Sequence, residues 1–491
     1  FFYMVFANES AFQTIFLDKI GDHKTAESYL ETFLKLQGAD PMRGTYTGNQ
    51  SGVFHGAKVD STYNYTHQNY NLDHGTVLWA LALHYLWSHD KKWLQHAAPN
   101  MLKAANWIIE QRNQTKVLDS KGNPVLHYGL LPAGQLEDNA DWAFWFATNA
   151  YASLGLSATA QAFKKGGLPE AERLEFEAQN YLADLQASVK RSSELCPVIQ
   201  LRNKTYAPYV PTRVYQRFRY FGPLQSGYYS RFGEGESSAW RLYRLSATRE
   251  VLYGPMVLLT TGIIEPHSIL SNAILDDWED NITLSGSLGM HIHGEVEDEY
   301  WFSRGGMVFQ PNLQNPIQAY LLRNEIPAAI RNLYNSMVAC LYPDVNAFTE
   351  EYHKWGVGSG PMYKTPDEAR FVNRVIDLLA MEAGDELWLA SGTPRYWLEP
   401  GKVIRLYHAS TVYGKVSYEL KSGIRPNTVE AIINLPENIP DKKTILFVRS
   451  PFGKRIQSVM INGKEWKSFD AKRECVILPS SEKTLYIVVS Y

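Results

Sequence analysis

The sequence predicts a mainly α fold, an (α/α)6 toroid over residues 1–384, followed by a C-terminal antiparallel β-sandwich over 385–491. Three observations predict it. Helical apolar periods fill the chain up to 381. The connections alternate, with a few residues inside each helix pair and long irregular stretches between pairs. Beyond 385 the apolar period switches to two, the period of a strand. The first helix of most pairs is apolar nearly all round, so it is buried on both sides, and the second is more amphipathic. First helices therefore form an inner ring and second helices an outer one. Each hairpin returns the chain to its starting side, which puts every long connection at the same end.

The elements follow in order. Residues 2–20 read as an apolar helix, and 23–37 as an amphipathic one after the break Gly21-Asp22. A polar, glycine-rich stretch covers 38–72. Asp73 can cap the apolar run DHGTVLWALALHYLWSHD, and helix 91–112 follows at once. After the connection 113–139 come an aromatic helix over 140–157 and an amphipathic helix over 169–193. The longest irregular segment is 194–246, rich in Tyr, Arg and Gly. Helices 247–263 and 266–280 meet at Glu265-Pro266, where proline suits a first turn. The connection 283–305 leads to helices 306–323 and 326–342, joined by Asn324-Glu325. The last connection, 343–366, precedes helix 367–381. Eleven helices are legible; a twelfth, needed for six hairpins, is expected before Phe1 or in degenerate form. The strands then read LWLASG, KVIRLYHA, GKVSYELKS, TVEAIINL, TILFVRS, SVMING, ECVILP and TLYIVVSY, separated by Gly, Pro and Asn turns.

Composition excludes several function classes. The formal net charge of −3 gives no electrostatic case for nucleic acid. Cys196, Cys340 and Cys475 have no metal or CxxC spacing and read as free or buried thiols. No apolar run is long enough to span a membrane. The start, FFYMVFANESAF, reads as a chain entered mid-element, so an upstream part is expected. Sequons at Asn8, Asn49, Asn64, Asn113, Asn203 and Asn281 are of a kind that arises by chance.

The chemistry-bearing stretch is 289–316, GMHIHGEVEDEYWFSRGGMVFQPNLQNP. It gathers His291, His293, Glu295, Glu297, Asp298, Glu299, Tyr300, Trp301 and Arg304 with no amphipathic period. The alternation of connections places it beside 38–72, 113–139, 194–246 and 343–366 on one rim. Long aromatic-rich connections in a compact domain point to function rather than disorder. Carboxylates beside flat rings are what a sugar site needs, for proton transfer and for stacking. The plain alternative for each carboxylate is a solvated charge or a helix-dipole partner.

The helical part resembles the six-hairpin glycosidases. The segment LWLASGTPRYWLEPGKVIRLYHASTVYGKVSYEL is similar to the C-terminal β domains of bacterial α-L-rhamnosidase-like proteins. Asp298-Glu299-Tyr300, with Asn312 and Asn315, resembles the acid loop of maltose and kojibiose phosphorylases, at a different spacing. Glu137-Asp138, with Asp141 and Trp142, and Glu350-Glu351 fall where glucoamylase-like enzymes carry their acid and base. The resemblance implies a secreted, extracellular or periplasmic enzyme of bacterial type.

Inversion at a glycosidic bond needs an acid and a base about 6.5–9.5 Å apart, so the pair comes from different connections. Glu299 is the expected acid and Glu350 the expected base, with Glu137 the third candidate. Expected substrate-binding residues are His67, Asp138, Tyr228, Arg231, Glu236, His291, His293, Trp301, Arg304 and Trp355. Trp142, on its expected helix, reads as a core residue. The dense Arg213, Arg217, Arg219 and Arg231 suit a uronate carboxylate, or internal pairing with Glu234 and Glu236. The leading expectation is an exo-acting, inverting glycoside hydrolase on a poly- or oligosaccharide. A polysaccharide lyase, with His67, His291, His293 or Tyr228 as base and Arg231 as neutraliser, is the alternative. A phosphorylase and a non-catalytic glycan binder remain open. No cofactor is expected, since His291-x-His293 lacks a third ligand.

Overall fold

The computed structural model describes residues 4–58, 70–136, 139–220, 244–246, 250, 253–282, 310–354, 357–359, 365–437, 439 and 443–491. Among these, eleven α-helices occur: α1 Ala7–Lys19, α2 His23–Leu36, α3 Leu72–Ser88, α4 Lys91–Gln114, α5 Phe146–Gly166, α6 Ala171–Glu194, α7 Met256–Thr260, α8 Ile269–Asp277, α9 Ile317–Leu322, α10 Ile326–Cys340 and α11 Thr365–Leu379. Asp22 and Asp90 cap α2 and α4, each accepting from first-turn amides. Asp73 does not cap α3: Asn71 holds that position, and Asp73 is buried in the first turn. None of these helices is long and apolar enough to cross a membrane.

The helix contacts run in a definite order. α1 packs on α3, α3 on α5, α5 on α7, α7 on α9, α9 on α11, and α11 back on α1. α2 lies against α1 and α3, and α4 against α3 and α5. No helix follows α11 directly; the chain runs into the strand Ala380–Ala383. Between α1, α2 and α11 lies a groove of about 440 Å³, lined by Phe16, Leu17, Tyr29, Phe33, Ala369 and Val372.

Three helix expectations are corrected. The segment expected as helix from 140 starts as a strand, Asn139–Ala143, paired with Gly134–Leu136; helix begins at Phe146. The helix expected from 306 begins at Ile317, where Asn315 Oδ1 accepts the Ile317 amide and Pro316 precedes it. The last helix ends at Leu379 because Ala380–Ala383 pairs with Glu386–Leu389.

The C-terminal part holds two sheets. One has six strands in the order Val403–Thr411, Gly414–Ser422, Thr428–Asn434, Thr484–Ser490, Ser458–Ile461, Lys464–Trp466. The other has five: Ala380–Ala383, Glu386–Leu389, Thr444–Phe447, Cys475–Leu478, Phe469–Asp470. The expectation of purely antiparallel pairing is corrected here. Glu386–Leu389 runs parallel to Thr444–Phe447, with Leu387 opposite Thr444. The chain builds three strands of the other sheet between these two, which supplies the long crossover that parallel strands require. The expected boundary after 384 falls in the turn of the first hairpin of this sheet, where Gly384 has φ +65°.

The five-stranded sheet is buried on both faces. Leu387, Leu389, Leu446, Val476 and Leu478 join the core shared with the six-stranded sheet. Trp388, Ile445, Phe447 and Cys475 join the helical core. Alternate residues of one strand thus serve two cores, which is why LWL, TILF and CVIL read as unbroken apolar runs. Half-buried Glu382 ties the layers together: it accepts from Trp87 Nε1 at 3.0 Å and from the Val412 amide at 2.7 Å.

The tightest helix crossing is α3 on α5. A Cβ on Gly75 would lie 2.4 Å from the Ala152 nitrogen, and one on Gly155 would lie 2.5 Å from the Gly75 carbonyl oxygen. Those neighbours are backbone and cannot rotate away. Gly155→Ala should destabilise the chain by about 2 kcal/mol through overpacking. Chemical denaturation followed by circular dichroism would read this as a lower midpoint at unchanged slope; an unmoved midpoint would show that the helices can separate freely.

Candidate functional site

Described parts of the long connections are hydrogen-bonded to one another. The first meets the second where Gly44 bridges Gly134, the Thr45 amide donates to Ala133 O at 2.8 Å, and the Asn71 amide donates to Gln135 O at 3.3 Å. The second meets the third through a Trp145–Arg213 bridge, with the Phe146 amide on Thr212 O and the Val214 amide on Phe144 O, both at 3.1 Å. The third reaches the turn after α8, where the Arg202 amide donates to Asp280 Oδ2 at 3.1 Å. The fourth and fifth meet where Gln310 Nε2 donates to Glu350 Oε1 at 3.3 Å. The fifth is fastened to α11 by the Phe348 amide, 3.0 Å from Glu368 Oε1.

Glu350 is the one expected catalytic residue among the described residues. It is half-buried and follows a short hairpin, Leu341–Tyr342 against Ala347–Phe348. Phe348 packs on Phe371 of α11 at 4.8 Å, and the Thr349 amide donates to Cys340 O at 2.8 Å. Main chain on the approach to Glu350 is therefore fixed before its side chain meets Gln310. Glu299 and Glu137 lie outside the described residues, as do His67, Asp138, Tyr228, Arg231, Glu236, His291, His293, Trp301, Arg304 and Trp355.

Trp142 is corrected. It sits on the strand Asn139–Ala143 rather than on a helix, and it is 55% exposed. Trp142 thus presents its side chain to solvent on the connection that follows α4. The signal was in the sequence: DNADW alternates too briefly for a helix and follows the turn residues of GLLPAGQ.

Arg219 of the third connection is committed internally, and Arg231 lies outside the described residues. Arg219 is buried, its Nε 2.7 Å from Glu250 Oε2, and it also pairs with Asp277. Gln216 Nε2 donates to Glu250 Oε1 at 2.7 Å, and the Tyr209 hydroxyl donates to the same oxygen. Burial pushes the Glu250 carboxyl up to about 7, against the pull of Arg219. The Arg213 guanidinium lies over the Trp145 ring at 4.9 Å. Arg219 thus pairs with Glu250 and Asp277, partners the sequence did not suggest.

Asp73 was also missed as a chemical group. It is fully buried, and Oδ1 accepts from the Asn8 amide at 3.1 Å and from Asn8 Nδ2 at 2.9 Å. This joins the first turns of α1 and α3 and occupies the sequon asparagine Asn8. Burial raises the Asp73 carboxyl from 3.8 to about 7, outweighing these donors and the Gly56 amide. Among the described residues no cluster of three or more His, Cys, Asp or Glu is placed to hold a metal ion.

No protein-family model matches the sequence, and no curated protein does. Solved structures do match. The α-L-rhamnosidase of Dictyoglumus thermophilum aligns over 99% of this chain and 46% of its own, at 10% identity and a TM-score of 0.51. A structure titled glycoside hydrolase aligns over 99% and 72%, at 10% identity and a TM-score of 0.46. The α-L-rhamnosidase of Streptomyces avermitilis, complexed with L-rhamnose, aligns over 99% and 38%, at 11% identity and a TM-score of 0.47. The fold is thus α-L-rhamnosidase-like, a helical part followed by a β part. The chain spans about half the length of the Dictyoglumus enzyme.

Asp73 generates a stability prediction. Its folded pKa is raised, so the folded chain keeps a proton that the unfolded chain releases above about 4. Its contribution is complete below that value and is lost as pH rises to about 7. Asp73→Asn should therefore gain stability relative to wild type across this window and hold a constant difference above it. Urea midpoints taken from pH 4 to 8 would check this; a difference that does not vary with pH would refute the protonated carboxyl.

Proposed function

We propose that this chain is the catalytic part of a glycoside hydrolase, a six-hairpin toroid at 1–384 carrying a β-sandwich at 385–491. The circular order of helix contacts and the two sheets sharing one core support that architecture. We further infer an inverting, exo-acting reaction on a poly- or oligosaccharide. Glu350 is the base, Glu299 the acid, and Glu137 the alternative acid.

The observation that carries the reading is the Gln310–Glu350 contact on the stitched rim. An amide N–H stabilises a carboxylate, which suits a base that must be ionised when water arrives. Glu350 takes a proton from that water as its oxygen attacks the anomeric carbon. The acid on another connection delivers a proton to the departing glycosidic oxygen, and the configuration inverts. Trp142 offers its face to a sugar ring in a neighbouring subsite.

A panel of aryl glycosides tests this, beginning with the α-L-rhamnoside that the Dictyoglumus protein's name suggests. Glu350→Gln and Glu299→Gln should each lower kcat by about 10³-fold, the scale of lost proton transfer. Full activity in both would sink the assignment, and release of an unsaturated uronate product would replace it with a lyase. Trp142→Ala should raise KM on an oligosaccharide about tenfold with little change in kcat, as loss of binding shared by ground and transition states. An unchanged KM would remove Trp142 from the site.

A further inference from the structure

We propose that Gln310 is a positioning residue that holds Glu350 ionised and aimed, a role that rests on the reading of Glu350 as the base. Gln310 is 6% exposed, on the turn that leads into α9, and its carbonyl accepts the Leu313 and Gln314 amides at 3.1 and 3.4 Å. The backbone of Gln310 is thus committed to the turn, and its side-chain amide is directed to Glu350 Oε1. It also makes a direct link between the connection carrying Glu299 and the one carrying Glu350.

The charged groups on the flanking elements fit this role. Glu351 is next in the chain, and Asp367, Glu368, Arg370 and Arg374 lie on α11. Glu368 accepts the Phe348 amide, and Arg370 lies 4.4 Å over the Phe12 ring. Arg374 Nη2 donates to Asn312 O at 2.6 Å, and Nη1 reaches Asn312 Oδ1 at 3.3 Å. A guanidinium is therefore fixed on the turn that starts with Gln310. It holds the main chain of that turn, and so the position from which the Gln310 amide reaches Glu350.

The test is the pH profile of kcat/KM on the aryl glycoside that the wild type turns over. Its acidic limb reports the base. Gln310→Ala should move that limb up by about one unit, the scale set by one lost donor. Gln310→Glu, nearly the same shape, should move it further, since a second carboxyl then faces Glu350. Matching thermal unfolding midpoints establish that both variants are folded. A fall in kcat with the limb unmoved in both variants overturns the proposal and leaves a packing role. Glu350→Gln, run in parallel, separates the two failures. If it is inactive while the Gln310 variants keep the wild-type limb, only the proposal falls. If it keeps full activity, Glu350 is not the base and both fall.

Discussion

The crossing of α3 and α5 through Gly75 and Gly155 sets the geometry on which the helical part depends. Each glycine approaches the other helix at a distance no side chain allows. Backbone contact this close holds the first turn of α3 against Tyr151 and Ala152 of α5. There, Asn71 binds the second connection and Trp145 binds the third. Asn149, one turn into α5, accepts from the Leu131 amide and the Tyr181 hydroxyl, both at 2.8 Å, and so fixes the second connection to the same helix. The rim is stitched because the helices beneath it hold the connections within hydrogen-bonding reach.

Holding polar connections over an apolar ring buries ionisable groups at its edge. Asp73, Glu250, Glu279 and Arg219 are all nearly inaccessible. Each is matched: Asp73 by Asn8, Glu250 by Arg219 and Gln216, Glu279 by Arg331 and Tyr320. Where burial exceeds the matching, as at Asp73 and Glu250, the carboxyl rises to about 7.

The parts of the fold written in long periods were legible. α2 through α4 and α6 start and stop within a few residues of their apolar patterns; in α2 and α4 capping aspartates and burial agree. Short elements were not. Asn139–Ala143 was absorbed into the helix that follows, because its brief alternation is outweighed by the longer apolar run after it. The parallel pairing of Glu386–Leu389 was hidden for the same reason: strand direction depends on which strand lies alongside. At the site, the sequence singled out carboxylates and aromatics on the connections. It passed over Gln310 and Asp73, whose roles come from one neighbour each, distant in sequence. Most of the candidates it chose, Glu299, Glu137 and the histidines among them, lie outside the described residues, so Glu350 bears the comparison alone.

The β part is also tied to the position of Glu350. The five-stranded sheet is buried on both faces, so it is a structural layer between two cores rather than an appendage. Its first strand begins where α11 ends, and Tyr418 of the six-stranded sheet donates to Leu379 O at 2.9 Å, on the last residue of that helix. α11 in turn holds Phe348 by Phe371 and Glu368, two residues before Glu350. A continuous line of packed elements runs from the sheets through α11 to the rim. A β part that fixes the far end of α11 contributes in this way to the placement of Glu350, and loosening the sheet would reach Glu350 through that helix.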